Sequence, residues 1–406
     1  MTDVRELGFD PERLTRIDKL LAGYVDDGKL AGWQVAITRK GQVVHDSVYG
    51  WRDREAGKPV ESDTLWRIAS MTKPITSVTA MTLWEEGVFD LNDPVSRWIP
   101  SFEGVRVYAG GVGRTLQTVP ATEPVRVWHL LSHTSGMTAG FLRASNVDQM
   151  YRDAGYEFGA PEGHDLAACV DDWARLPLLF NPGTAWGYGV STDVVGRLIE
   201  IWTGQRLDQA FSNRVLEPLG MKDTCWFVED ARADRLATLY VPDDDVQAVR
   251  YEYSDYLGRT EPTIHSGGGG LISSMPDYLR FTRMLTGDGE LDGTRVLSPR
   301  TLELMRSNHL VGDLDDNRAD GFAETTFPGV GFGLGFAVLE DPLLMHSVAN
   351  KGEYFWGGIY GTSFWCDPVD DLSCVFMTQL LPSDMHPIRA QLRQLVYSAL
   401  VDRRGS

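Results

Sequence analysis

Ser70-Met71-Thr72-Lys73-Pro74 opens a run in which Met71, Ile75, Val78 and Met81 recur at helical spacing, with Gly87 placed as a stop. Proline has no N–H and is accommodated only in the first helical turn, so the helix begins near Ser70. Three residues apart on that helix, Ser70 and Lys73 share one face within hydrogen-bonding reach. A serine at a helix start sits at the positive end of the helix dipole, which favours a developing alkoxide and oxyanion. A neighbouring lysine, partly desolvated, would take part in proton transfer. The same residues also suit an ordinary N-cap serine beside a solvent-exposed lysine, and S-x-x-K alone is a common pattern. The rest of the chain has to separate the two readings.

Working outward, Leu14, Ile17, Leu20 and Leu21 have helical spacing before Gly28. Residues 32–38 and 43–49 are apolar, β-branched runs joined by the turn Arg39-Lys40-Gly41-Gln42. From about 90 to 265 the signals are helices between long loops. Residues 193–203 form a helix ending at Gly204, and 207–215 another ending before Pro218. After Gly270 strands return at 332–339, 362–366 and 372–378, and 387–401 reads as a final helix. Strands at both ends with helices between predict an α+β fold whose sheet is built from the two chain ends. The α/β part is expected over 1–89 and 266–406, a mainly helical insertion over 90–265, and the active site in the cleft between them. The acidic stretches 242–245 and 312–320 read as solvated loops.

Charge and composition bound the function. The 406 residues carry 38 Lys+Arg against 57 Asp+Glu, a net −19. Such a surface repels phosphate backbones and anionic lipid, so neither nucleic acid nor a membrane is an expected partner. With 43% apolar and 23% charged residues the chain is neither disordered nor fibrous. Its length allows a core that needs no metal or disulfide staple. Cys169, Cys225, Cys366 and Cys374 contain no C-x-x-C pair and suit a reducing compartment. The opening MTDVRELGFDPERL has acids where a signal peptide needs a basic and then an apolar segment, and no run approaches the ~18 apolar residues of a membrane span. A cytoplasmic location follows as an expectation; the oligomeric state stays open.

Several phrases carry a resemblance. In order they are Asp63-Thr64-Leu65-Trp66-Arg67-Ile68-Ala69 leading into Ser70, then Leu130-Leu131-Ser132-His133-Thr134-Ser135-Gly136, and Pro182-Gly183 ahead of Tyr188. Pro218-Leu219-Gly220-Met221-Lys222-Asp223-Thr224 and the four glycines 267–270 before Leu271 complete the set. Covering most of the chain, they resemble the penicillin-recognising serine hydrolases: serine β-lactamases, DD-peptidases and related esterases. Within that superfamily the chain looks most like the family VIII carboxylesterases, close relatives of class C β-lactamases. The resemblance implies a β-lactamase/DD-peptidase-like α/β sandwich with an antiparallel sheet, and no cofactor.

It also implies roles. Tyr188, in Tyr188-Gly189-Val190, matches the tyrosine of Y-x-N. With its proton drawn off by lysine, it would act as base on Ser70 and then as acid to the leaving group. Val190 replaces the asparagine that would bond the amide side chain of a β-lactam or peptide. No K-T-G occurs; Trp356-Gly357-Gly358-Ile359 matches the W-G-G form of the esterases. Gly357 and Gly358 would let substrate approach the backbone, and the N–H groups of Ser70 and Ile359 would form the oxyanion hole. Replacing the cationic lysine by Trp356 removes a carboxylate anchor and suits uncharged acyl esters. Lys351-Gly352-Glu353 lies five residues too early.

Other motifs fall away. G-x-S-x-G is absent. His129 and His133 stand at i, i+4, but Leu130 occupies the position where a zinc helix needs glutamate. Asp313, Asp315, Asn317 and Glu324 have calcium-loop spacing, with Arg318 where that loop needs glycine. The 267–270 run lacks G-K-[ST] and reads as a tight turn entering a strand beside the cleft. Residues 102–117 and 139–165 are expected to shape the pocket. The expected function is a serine carboxylesterase that cleaves short-chain acyl esters through an acyl-enzyme, its partner a small-molecule ester. The alternatives are an acyltransferase or transesterase, a β-lactamase or D-amino-acid peptidase, and a non-catalytic ligand-binding relative.

Overall fold

The computed structural model describes residues 3–319 and 328–402. β1 (Gly32–Arg39) and β2 (Gln42–Asp53) form a hairpin whose two turn residues, Lys40 and Gly41, have φ of 50° and 71°. That left-handed pair matches the twist of the flanking strands. β3 (Lys58–Pro59) lies at one edge. A short separate pair, β4 (Leu65–Arg67) and β5 (Ile272–Ser274), joins the segment leading into Ser70 to the segment that follows the glycine run. The C-terminal part supplies β6 (Val330–Phe332), β7 (Ala337–Leu339), β8 (Tyr354–Gly357), β9 (Ser363–Asp367) and β10 (Leu372–Thr378). The eight-stranded sheet runs β6-β7-β8-β9-β10-β1-β2-β3 and is antiparallel throughout. β1 and β10 pair from Trp33↔Thr378 to Arg39↔Leu372, so the two chain ends meet inside one sheet. This is the predicted fold class.

Both faces of that central pair are covered, and the period-two alternation sorts the side chains. Val35, Ile37, Cys374 and Phe376 pack with Leu14, Ile17 and Leu21 of α1 (Pro11–Asp26) and with Leu392 and Val396 of the C-terminal helix Ile388–Ala399. Ala36, Val375 and Met377 face the other way, into a core containing α2 (Thr72–Glu85), α3 (Ser191–Thr203) and α4 (Met275–Thr286). The same apolar cluster continues into the helical middle of the chain through Val127, Leu130, Val194 and Leu198. α2 is buried from Thr72 to Leu83 rather than along one stripe. A helix enclosed on all sides must satisfy its polar side chains internally, and its threonines do so. Thr79 donates to the Ile75 carbonyl and Thr82 to that of Thr79, at 2.8 Å each.

Several elements differ from expectation. Residues 332–339 are not one strand but a hairpin, β6 and β7, because the chain must turn at Gly335. Its φ is 105°, and a Cβ there would overlap the Ser77 side chain of α2. The helix at 207 does not stop before Pro218. Leu207–Phe211 passes through a π-type turn, Ser212–Leu216, into Glu217–Leu219, where the proline falls in a fresh first turn. The middle of the chain also holds a hairpin, Arg106–Gly110 with Gln117–Pro120. Asp243, Asp244 and Asp245 are exposed, as a solvated loop requires. Of 312–320, Asp313 instead caps the short helix Leu314–Asn317, and Asp320 lies outside the described residues. Among the described residues no helix is long and apolar enough to cross a membrane.

Candidate active site

β4 ends in a 3-10 turn, Ala69–Met71, that runs directly into α2. Pro74 is the third residue of the α-helix, in the first turn as the sequence requires. Ala69 has φ 45°, a left-handed conformation that costs a non-glycine residue of order 1–3 kcal/mol. Its neighbours hold it there. Ile68 N–H donates to the Leu271 carbonyl at 3.0 Å, and the Ile68 carbonyl accepts from Met71 N–H at 3.0 Å and the Thr362 hydroxyl at 3.2 Å. Just upstream, the buried Arg67 guanidinium donates to the carbonyls of Ala237, Ser254 and Leu257 at 2.7–3.0 Å. Ser70 is thereby presented half-exposed at the start of a rigid helix.

Three of the predicted residues meet at Ser70 Oγ. The Tyr188 hydroxyl donates to it at 2.6 Å and Lys73 Nζ at 3.2 Å. Lys73 Nζ also donates to the Gly268 carbonyl at 2.6 Å and stands 4.5 Å above the centre of the Tyr188 ring. Lys73 and Tyr188 are only 5% and 3% exposed, so bulk water barely screens these contacts.

Tyr188 reaches the serine because the 130–136 phrase forms its cradle. Gly187 N–H donates to the His133 carbonyl at 2.9 Å, and a Cβ at Gly189 would lie 2.5 Å from the Thr138 backbone. The His133 ring centre is 5.1 Å from that of Tyr188 and 5.4 Å from that of Phe332. Burial, and behind it the Lys73 charge, hold His133 well below the ordinary histidine range, so it is a neutral packing surface. Val190 ends the loop as the N-cap residue of α3 and packs against the main core.

The W-G-G segment arrives from β8. The Trp356 ring centre is 5.8 Å from that of Tyr188 and sits edge-on, 5.3 Å away, to Phe332. Gly358 lies so close to the turn before Ser70 that a Cβ would overlap the Ile68 carbonyl and the Thr362 hydroxyl. At Gly357 a Cβ would come within 2.6 Å of the Arg389 guanidinium, which donates to the carbonyls of Gly358 and Thr362. Ile359 follows, half-buried, one residue from the Ile68 contact. Lys351 is 69% exposed and pairs with Glu340 at 3.2 Å, outside this cluster.

One residue at the site, Asp193, is marked by the sequence only as the start of a helix. Asp193 Oδ1 accepts from the Gly268 N–H at 3.0 Å and from the Ser266 hydroxyl at 2.6 Å. The glycine run is held from α2 as well. Thr76 donates to the Gly267 carbonyl at 2.6 Å, and Leu271 N–H donates to the Thr72 hydroxyl at 3.1 Å. The run is indeed a turn leading into β5. An acid in the first turn of a helix looks like ordinary dipole complementation, so no spacing rule could have picked out Asp193.

The set-aside motifs have other duties. His133 lies beyond the helix Val127–Leu131 with φ 56°, so it does not share a helical face with His129. His129 Nδ1 accepts the Arg126 N–H at 3.0 Å. Asp313 accepts from Asp316 N–H and Gly329 N–H through its two oxygens, and Glu324 lies outside the described residues. The stretches expected to shape the pocket touch one another where Asn146 Nδ2 donates to the Tyr108 hydroxyl at 2.7 Å.

His129 supplies a pH prediction. Burial, and after it the Arg126 charge, push its pKa down to about 4, whereas an unfolded histidine titrates near ~6.5. Between those values the unfolded state binds more protons, so the contribution of neutral His129 is full above about 6.5 and is lost as pH falls towards 4. His129→Gln should therefore lose less stability than wild type between pH ~7 and ~4.5, by roughly 2 kcal/mol. Urea unfolding at the two pH values measures it; equal losses in both proteins would refute the assignment.

Known proteins share the sequence and the fold of this chain. Residues 17–398 match the profile of the Beta-lactamase family. The chain is 37% identical over 361 residues to Protein Rv1367c of Mycobacterium tuberculosis, covering 88% of each chain. It is 32% identical over 412 residues to Esterase EstB of Burkholderia gladioli, covering 94% of this chain and 95% of that one. Among solved structures it superposes on EstCE1, a hydrolase with promiscuous acyltransferase activity, with a TM-score of 0.80. That match has 30% identity and covers 95% of this chain and 98% of the other.

Proposed function

The chain belongs to the beta-lactamase family, and within it we propose a serine carboxylesterase that cleaves short-chain acyl esters through a covalent acyl-enzyme. One observation carries this: Ser70 Oγ is bonded at once by the Tyr188 hydroxyl and the Lys73 ammonium. In the first step Ser70 Oγ attacks the ester carbonyl. The Tyr188–Lys73 pair holds one proton fewer than its two groups can carry: with that proton on Lys73, the Tyr188 phenolate takes the serine proton and then passes it to the departing alkoxide. The Ser70 and Ile359 N–H groups receive the tetrahedral oxyanion, and water then releases the acyl group by the same route in reverse. Trp356, Gly357 and Gly358 form the wall along which the substrate lies.

Ester rather than lactam or peptide substrates are supported by Val190 and Trp356, which replace amide- and carboxylate-binding residues, and by the kinship with an esterase. As a second reading, transfer of the acyl group to an alcohol is favoured by the likeness to EstCE1. Adding an alcohol and measuring product partitioning separates it from hydrolysis. We further propose the division into 1–89 with 266–406 and 90–265. In its support, every strand of the eight-stranded sheet comes from the first unit. A cytoplasmic setting is part of the same proposal, supported by four cysteines that are all unpaired.

A panel of esters of graded acyl length, run beside a chromogenic cephalosporin, tests the proposal. Short acyl esters should turn over and the cephalosporin should not; the opposite ranking rejects it. Substrate charge gives a sharper prediction. A charge-assisted hydrogen bond contributes about 1.5–3 kcal/mol, so without the family lysine, neutral esters should exceed esters with a carboxylate near the scissile bond by roughly tenfold or more in kcat/KM. A preference for anionic esters that survives high salt would mean that another cation serves the pocket.

A further inference from the structure

The Lys73 ammonium, on a side chain only 5% exposed, donates to Ser70 Oγ and to one main-chain carbonyl. Its shortest bond is to a main-chain carbonyl, that of Gly268. Gly268 belongs to four consecutive glycines, a stretch with great backbone freedom and no side chains of its own to anchor it. An acceptor on such a segment orients an ammonium only if something else holds the segment.

We infer that Asp193 is the positioning residue for Lys73: it fixes Gly268 so that the Gly268 carbonyl aims the ammonium at Ser70 and Tyr188. Asp193 Oδ1 accepts from Gly268 N–H at 3.0 Å and from the Ser266 hydroxyl at 2.6 Å, gripping the run at its entry and at its second glycine. A Cβ at Gly268 would overlap the Asp193 carboxylate, so glycine is what allows the approach. The Thr76 bond to Gly267 ties the same segment to α2, one turn below Lys73. Asp193 stands in the first turn of α3, five residues after Tyr188. One carboxylate thus joins the tyrosine's helix, the glycine run and, through a single carbonyl, the lysine. The inference rests on the catalytic roles proposed above for Ser70, Lys73 and Tyr188.

The test compares wild type, Asp193→Ala and Asp193→Asn. A phosphonate ester taken to completion counts the competent Ser70 sites, so unfolded protein does not enter the rate, and kcat and KM are then expressed per titrated site. Displacing a catalytic group by ~1 Å costs about 10²-fold. Asp193→Ala should lose about that much in kcat, with KM within about twofold of wild type. Asp193→Asn keeps an oxygen to accept from Gly268 and Ser266, and should recover about tenfold or more of the loss. A structural role alone would lower the count of competent sites and leave kcat per site unchanged; that result overturns the inference. So does a loss expressed in KM, or an asparagine variant as poor as the alanine. A wild type that takes no phosphonate at Ser70 is a different outcome: it overturns the catalytic roles, and this inference with them.

Discussion

Ser70→Ala will abolish ester hydrolysis while leaving the protein folded. Removing the nucleophile of a serine hydrolase costs on the order of 10⁶-fold in kcat, because the acyl-enzyme has no other route. The fold should be spared. Ser70 is half-exposed, and its hydroxyl receives two bonds whose donors keep other contacts: Lys73 retains the Gly268 carbonyl, and Tyr188 its ring packing against His133 and Trp356. The stability change should stay near ~1 kcal/mol, the size of an ordinary hydrogen bond. A phosphonate should label one peptide, the one containing Ser70. Two other serines near the site are already engaged, Ser191 with the Ser135 hydroxyl at 2.8 Å and Ser266 with Asp193. Neither touches a base comparable to the Lys73–Tyr188 pair. A label on either would disprove the assignment of the nucleophile.

The second large effect is a failure of additivity. Neither a free tyrosine nor a free lysine is a useful base at neutral pH. In the site the Lys73 ammonium lies over the Tyr188 ring while both donate to the same serine oxygen. Tyr188→Phe removes the proton carrier and leaves the lysine charge and the backbone donors. General acid–base groups contribute about 10²–10⁴-fold, and the loss in kcat should fall in that range. Lys73→Ala should cost at least as much, since it also removes the positive charge beside the nucleophile. If the two share one proton, the double variant will be little worse than the poorer single variant, as happens when residues act as a unit. Measuring kcat for the four proteins decides the point. Losses that multiply would mean that Tyr188 and Lys73 act independently, and the shared-proton mechanism would be discarded.

What could be read without a structure was local. The Ser70–Lys73 pair needs only the i, i+3 geometry of a helix whose start Pro74 dictates. The Lys40-Gly41 turn, the buried run of β1 and the Gly204 stop of α3, at φ 66°, are likewise set by nearest-neighbour sterics and burial pattern. Tyr188 and Trp356 were legible only through phrases that resemble a known superfamily, since nothing in their own neighbourhoods distinguishes them from core aromatics.

Contacts between distant segments lay beyond that kind of reading. The helix at 207 ran on past its expected stop because a π turn placed Pro218 in a new first turn, and 332–339 folded back at Gly335, where only a residue without a Cβ fits against Ser77 of α2. Asp193 reaches Gly268 across 75 residues, and the Tyr188 hydroxyl reaches Ser70 across 118. Periodicity, capping and turn chemistry act over a few residues and settle which segments are helix or strand. Which side chains meet at Ser70 depends on how α2, α3 and the glycine run pack together, and that is settled by burial and hydrogen-bond satisfaction over the whole core.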